Sequence, residues 1–377
     1  MHLKSHANTS TKNNLLVIIA HSARALAESA WRAGYQVITI DGFSDVDTLK
    51  ASLESWCLPL VNGEFSADKV ETCLKKVHKR YPIAKVIAGA GAELYLPNLE
   101  AKSGWQILGN SSECVRQICE PVSLFVALDH LSIPYPEISY DSRPTDNKKW
   151  LYKTPFHCGG MGVSKKYKSN SSGYWQEELE GIPISALCLC AGEQSQLIGI
   201  NRQFTYAISE RLPYVYAGAL ANYEISLKST EIINSYVGNL SSYFNLNGLC
   251  SIDMLLYGDG IFVLEINPRV SATFELYERL QPMLNLIDAH IRVCEGERLS
   301  SLESTSKQGA YSIVYAEGPC DVPELEWPDW VSDIPETGRQ LHKYDPICTV
   351  HALLGETEDL YKMTQKRARQ ILSIIKQ

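Results

Sequence analysis

The sequence predicts an α/β chain that opens with a small doubly wound parallel sheet and continues in mixed strands and helices. Three observations carry this. Four apolar runs before residue 111 alternate with helix-period segments, the pattern of parallel strands joined by helical crossovers. Later, two apolar runs flank Gly258-Asp259-Gly260, a tight-turn signal that folds them into an antiparallel hairpin. Finally, 377 residues with 45% hydrophobic and 21% charged residues describe a globular chain with two or three packed units, too long for one small core.

Residues 1–14 are polar and are expected to form a frayed tail. Leu15–Ala20 is an apolar run of the kind buried on both faces in parallel sheets. It leads through His21 and Ser22 into a helix whose apolar side is Ala23, Leu26, Ala27, Ala30 and Trp31, closed by Gly34. Ser22 and Arg24, at that helix N-terminus, are placed to receive an anion, and Ser22 serves equally as an N-cap. Strands follow at 35–41, 84–90 and 105–110, with a helix at Ala67–Arg80 before the third strand. There is no GxGxxG, so the dinucleotide fingerprint is absent.

A helix at 121–131 starts on Pro121, where the missing N–H costs nothing, and exits through the extended 133–137 stretch. Trp150–Lys153 is a strand ending in lysine, followed by a loop with Gly159, Gly160, Met161 and Gly162. Glycines let backbone N–H groups turn toward a ligand, and lysine supplies a mobile charge for phosphate oxygens. An ordinary hairpin loop with an exposed lysine reads the same way. Residues 174–181 form a strand, an acidic turn (Glu177, Glu178, Leu179) and Gly181; strands follow at 184–190 and 196–201. Arg202 and Gln203 then face either the interior cleft or solvent. A helix at 223–244 turns Ile232, Ile233, Tyr236, Val237, Leu240 and Phe244 inward.

The stretch 262–269 organises the rest. Phe262, Val263, Leu264 and Ile266 read as a buried strand, and Glu265 and Asn267, two apart, share one face. Pro268 ends the ladder and Arg269 follows at its mouth. The preceding strand, 248–257, carries one acid, Asp253, which hairpin pairing brings alongside Glu265. Two carboxylates and an amide carbonyl are hard oxygen donors suited to Mg²⁺, with a guanidinium beside them for a phosphate or an oxyanion. Beyond the hairpin, 274–294 is helical with an interruption at Pro282, strands lie at 311–316 and 346–352, and a basic helix spans 356–376.

The formal net charge of −8 gives no footprint for nucleic acid or an anionic membrane, and no apolar stretch near the N-terminus is long enough for a signal or membrane span. Eleven scattered cysteines without a CxxC pair argue against structural zinc and for reduced thiols in a cytoplasmic protein. No Ser-His-Asp or Cys-His constellation is evident.

On Asp253 followed by Glu265-x-Asn267-x-Arg269, with the glycine loop about a hundred residues upstream, the chain resembles the ATP-grasp ligases from residue 15 onward. It is most similar to the predicted ATP-dependent carboligases related to biotin carboxylase, in which the helix motif Ser22 to Ala27 and the strand Leu264 to Arg269 occur together. That branch is found in methylotrophs and archaea, some members being linked to the one-carbon carriers methanofuran and tetrahydromethanopterin. The resemblance implies a tail at 1–14, an N-terminal unit at 15–120 that helps hold the acceptor, a small ATP-grasp subdomain with a glycine flap at 121–181, and a large subdomain with a C-terminal extension at 182–377. It implies ATP and two Mg²⁺ (or Mn²⁺), with Glu265 shared, Asp253 on one ion and Asn267 on the other. It also implies Lys153 on the α/β-phosphates, Arg269 facing an acyl phosphate, and adenine against Glu177, Glu178 and Leu179. Relatives commonly have a phosphate-binding lysine where Pro121 stands and a ribose-binding acid where Pro183 stands. The expected activity is ADP-forming carboxylate–amine ligation on small molecules, with homodimer formation allowed. A bicarbonate-activating carboxylase and a non-catalytic ATP-binding regulator are the rival expectations.

Overall fold

The computed structural model describes residues 14–61, 63–166, 173–353 and 359–375. Of the expected tail only Asn14 is among them, and positions 356–358 and 376 of the expected last helix lie outside the described residues; the helix itself runs Leu360–Ile375. The first five strands are β1 (Leu15–Ala20), β2 (Gln36–Asp41), β3 (Glu54–Cys57), β4 (Ala84–Ala88) and β5 (Trp105–Ile107). They form an all-parallel sheet in the order β3-β2-β1-β4-β5. From β1 the chain winds outward through β2 and β3, then crosses to β4 on the other side. The crevice at the carboxyl ends of β1 and β4 is therefore the topological switch point, where open α/β sheets place ligands. Strand β3 has no apolar run to announce it; edge pairing of Ile38 with Glu54 through Asp41 with Cys57 makes it a strand.

Leu16, Val17, Ile18 and Ile19 are fully buried because both faces of β1 are covered. Val17 and Ile19 pack with Val70, Leu74 and Val77 of helix Ala67–Arg80, while Leu16 and Ile18 pack with Ala23, Leu26, Ala27 and Ala30. Trp31, expected on that stripe, is 62% exposed. One residue turns a helix by about 100°, and the step from Ala30 carries Trp31 to the flank of a stripe centred on Ala23, Ala27 and Ala30.

Next come β6 (Ile138–Ser139), β7 (Trp150–Lys153), β8 (Val163–Ser164) and β9 (Tyr174–Glu177), an antiparallel sheet in the order β6-β9-β7-β8. The remaining strands are β10 (Ile182–Ala191), β11 (Gln194–Tyr206), β12 (Val215–Ala221), β13 (Asn247–Tyr257), β14 (Gly260–Asn267), β15 (Gly309–Tyr315), β16 (Cys320–Asp321), β17 (Val331–Ser332), β18 (Gln340–Leu341) and β19 (Pro346–Leu353). Eight of them form an antiparallel sheet, β14-β13-β10-β11-β12-β15-β19-β17; β16 and β18 pair separately. The predicted break at Pro282 is real, giving helices Phe274–Leu280 and Leu286–Cys294.

The large sheet has two different faces. On one, Ile184, Ala186, Ile252, Val263 and Ile266 pack against helices Pro121–His130 and Leu227–Phe244. On the other, Leu187, Leu189 and Leu249 join the core that also contains Leu16, Ile18 and the helices after residue 273. Continuing along this second face, the residue types turn polar: Ser185, Asn201, Gln203, Asp253, Glu265 and Asn267. The same face that anchors the first sheet thus runs into the cleft. The eleven cysteines are all free thiols, and among the described residues no helix is long and apolar enough to cross a membrane.

Candidate active site

Strands β13 and β14 meet through a two-residue turn, Gly258-Asp259, with Tyr257 opposite Gly260. Farther along, Asp253 is the register partner of Glu265 and Ser251 that of Asn267. The ladder skips one residue of β14, Leu264, between the pairs Asp253–Glu265 and Met254–Val263. This bulge lets Val263 and Ile266 both stay buried while Glu265 and Asn267 turn to the opposite face. Phe262 and Leu264 are half-buried in consequence, where a fully buried strand was expected.

A hydrogen-bonded chain links the polar groups. Gln203 Nε2 donates to Asp253 Oδ1 at 3.0 Å, Asn267 Nδ2 to Asp253 Oδ2 at 3.2 Å, and Arg269 Nη2 to Asn267 Oδ1 at 2.9 Å. Arg269 Nε is 2.7 Å from Glu93 Oε1, and its Nη1 donates to the carbonyl of Val270 at 3.3 Å. Burial works against the Arg269 charge, but Glu93, Cys158 and Asp253 outweigh it and raise its pKa. Asn110 fixes the backbone beneath, donating to Pro268 O at 2.9 Å and accepting from Asn247 N at 2.9 Å.

Burial, and after it the charge of Glu265, push the Asp253 carboxyl up to about 7. A desolvated Asp253 facing the more exposed Glu265 is a donor pair that a divalent cation would satisfy. No group of three His, Cys, Asp or Glu side chains that could hold a metal occurs among the described residues. The donors are two carboxylates and one amide oxygen, which suits an ion that keeps water and phosphate in its remaining positions. The residues therefore fit Mg²⁺.

Opposite stands Lys153, the last residue of β7 and half-buried. Burial lowers its pKa, against the pull of Glu265 and Asp253. The loop after it is tightly folded. Thr154 N donates to Gly162 O at 2.9 Å, Val163 N to Gly160 O at 3.1 Å, and Tyr216 N to Gly159 O at 3.0 Å. Gly160, at φ +78°, lies so close to β12 that a Cβ would stand 1.8 Å from Tyr214 O, whereas Gly159, at φ +63°, has open space around it. The cleft between this loop and β14 encloses about 820 Å³, its open mouth included, and is lined by Lys153, Gly160, Gly162, Glu265 and Asn267 together with Glu93 and Pro121.

The other sequence candidates lie elsewhere. Glu177 pairs with Lys148 at 3.2 Å, and Glu178 with Lys165 at 3.0 Å and with the Tyr214 hydroxyl. These two and Leu179 do not line the cleft, nor do Gly159 and Met161 of the loop, nor Asp253 and Arg269, which reach it through Glu265 and Asn267. Arg202 shares the register of Ile184 and so points to the face opposite Gln203; it is exposed, 5.7 Å over the Tyr223 ring. Ser22 is not the N-cap: Ala23 holds that position, and Asp41 Oδ2 accepts its N–H at 2.6 Å. Ser22 Oγ lies 3.3 Å from Asp333 Oδ1. Arg24 is buried, with Nη2 2.8 Å from Glu275 Oε2 and Nε 3.0 Å from Asp333 Oδ1. Its charge is already matched, so an anion there would meet carboxylates.

Sequence reasoning missed Glu93, His21 and Cys158. His21 follows β1 at the switch point, its ring against Gly91 and its Nδ1 3.5 Å from Cys158 Sγ in the glycine loop. Burial lowers its pKa. The first sheet, the glycine loop and the metal-type strands thus converge on one place.

Comparison with known proteins agrees with this architecture. Residues 121–273 match the ATP-grasp domain family. Over 346 residues, 89% of this chain and 87% of the other, the sequence is 22% identical to an uncharacterized protein of Methanocaldococcus jannaschii. It is 29% identical to the tyramine–L-glutamate ligase of the same organism over 127 residues, a match spanning 33% of this chain and 37% of that enzyme. Biotin carboxylase from Campylobacter jejuni superposes with a TM-score of 0.74 at 12% identity, covering 96% of this chain and 95% of that one. The fold is the α/β ATP-grasp fold.

Proposed function

From an ATP-grasp fold with an ATP-grasp domain at residues 121–273, we propose that this chain is an ATP-dependent carboxylate–amine ligase that releases ADP and phosphate. The observation that supports this most is Glu265 and Asn267 in the cleft wall opposite Lys153, with Asp253 paired to Glu265 and Arg269 bonded to Asn267. In the first step a substrate carboxylate oxygen bonds to the γ-phosphorus as the bond to the β-phosphate oxygen breaks, giving an acyl phosphate and ADP. The amine nitrogen then bonds to the acyl carbon, inorganic phosphate leaves, and the amine proton passes to phosphate or solvent. Neither step needs a protein nucleophile. Lys153 neutralises phosphate charge in the ground state, and Arg269 meets the charge that gathers on the transferred group. Asp253, Glu265 and Asn267 would hold two Mg²⁺, or Mn²⁺, whose role is to neutralise phosphate oxygens.

An amino acid such as glutamate as the carboxylate is supported by the likeness to tyramine–L-glutamate ligase. A small amine or cofactor precursor as acceptor, a place in one-carbon carrier assembly, and a cytoplasmic setting belong to the same proposal and rest on the sequence resemblance and the free thiols. The test is ADP release by the purified chain across panels of carboxylates and amines, with isotopic labels in both. Amide formation with ADP and phosphate is the expected result. AMP and pyrophosphate, turnover that needs bicarbonate and no amine, or no turnover with any pair would overturn the proposal.

A further inference from the structure

Glu93 lies outside the matched ATP-grasp domain, just after β4 at the carboxyl edge of the first sheet, yet its carboxylate reaches Arg269 at 2.7 Å. Both side chains are mostly buried, at 17% and 10% exposure, so the pair is shielded from solvent and salt. The guanidinium is held on all three nitrogens: Nε by Glu93, Nη1 by the Val270 carbonyl and Nη2 by Asn267. A guanidinium has five N–H groups, so two, one on each Nη, stay available. Arg269 follows Pro268, whose carbonyl Asn110 anchors, so its backbone is fixed as well as its tip. With a cation bound, Asp253 and Glu265 would serve the metal, and Glu93 would be the carboxylate left to face Arg269.

We infer that Glu93 is a positioning residue for Arg269: the first sheet holds the arginine fork so that its two remaining N–H groups aim at the transferred phosphoryl group. This rests on the ligase reading for its kinetic consequence, though not for its structural one.

The test uses the full-length chain with Glu93→Gln, Arg269→Lys and the double variant, each first shown to be folded by its melting temperature. With the carboxylate–amine pair found by the panel screen, Glu93→Gln lowers kcat by about tenfold to hundredfold, as loss of an orienting partner does. The KM for MgATP stays within about twofold. The double variant is no slower than Arg269→Lys alone, because the two residues act as one unit. Losses that multiply would overturn the inference. So would a raised amine KM at unchanged kcat, since Glu93 would then touch the amine itself. A second measurement needs no substrate: NMR of the arginine Nε–H groups, with Arg269 identified by the signal missing in Arg269→Lys. That signal is protected from solvent exchange in the native chain and loses protection in Glu93→Gln. An unchanged signal would overturn the inference even in an active ligase, and a changed one would sustain the hold of Glu93 on Arg269 even if the ligase reading fails.

Discussion

Asp253 and Glu265 stand directly opposite each other on adjacent antiparallel strands, at the rung where Leu264 is inserted as an extra residue. Nothing in folding requires two acids to face each other there; burial, and after it the charge of Glu265, pushes Asp253 up to about 7. Together these acids would hold a divalent cation that neutralises phosphate charge. Glu265→Gln, which keeps shape and removes charge, is expected to lower ADP release by at least about a hundredfold with the melting temperature preserved. Near-native turnover in the folded variant would rule out the metal assignment.

Lys153 sits across the cleft, its charge disfavoured by burial and supported by Glu265 and Asp253. Phosphates would complete its environment. Lys153→Ala should weaken MgATP binding about tenfold or more, about 1.4 kcal/mol, measured by calorimetry with a non-hydrolysable analogue. An unchanged Kd would count against a phosphate role.

Arg269→Lys retains the charge and loses the fork that engages Glu93, Val270 and Asn267. The expected outcome is a fall in kcat of about tenfold to hundredfold with a much smaller change in MgATP affinity. Equal losses in both would mean that the arginine serves ground-state binding instead.

Two neighbouring glycines separate backbone conformation from close approach. Gly159→Ala meets only the left-handed φ of +63°, with nothing near its Cβ, and should cost about 1–2 kcal/mol. Gly160→Ala adds a collision with the Tyr214 carbonyl, so the loop must move off β12. It should cost more stability and raise the KM for MgATP. Equal effects from the two substitutions, in chemical denaturation and in kinetics, would contradict the packing described.

The pH dependence of stability should carry the mark of Asp45. Burial, then the nearby Asp333, Asp41 and Asp47, push its carboxyl from 3.8 up to about 8, despite Arg339 at 3.3 Å. An acid whose pKa is raised on folding binds its proton more tightly in the native state. Its stabilising contribution is therefore complete at acid pH, below its unfolded value, and is lost as pH rises through about 8. Asn keeps the shape of the neutral form and does not titrate. Asp45→Asn should thus lose less melting temperature than the native chain between mildly acid and mildly alkaline pH. Parallel curves would refute the shift.

Local chemistry made much of the fold legible. Apolar runs announced β1, β2 and β4, and the Gly258-Asp259 turn announced the hairpin that pairs Asp253 with Glu265. Strands β3 and β12 were not announced, because Glu54–Cys57 lacks an apolar run and Gly218 interrupts Val215–Ala221; both are strands by virtue of their partners. Glu265 and Asn267 followed from period-two spacing and Lys153 from the glycine loop after it, but Arg202 needed its register partner to show which face it takes. Glu93 had no local signal at all. Its place beside Arg269 depends on how the first sheet meets the eight-stranded one, a relationship 176 residues long in sequence.

The cluster around Arg24 also sets an order of events. Arg24 belongs to the first helix, while Glu275 and Asp333, which surround its guanidinium, come 251 and 309 residues later. During synthesis the first sheet therefore emerges with only part of that counter-charge, Glu28 at 3.1 Å and Asp47 at 3.9 Å, and sealing the site is costly until Glu275 and Asp333 arrive. The first helix is expected to stay loosely docked until residues past 333 leave the ribosome. Protease sensitivity at its end, followed in stalled nascent chains of increasing length, would then fall late and in one step.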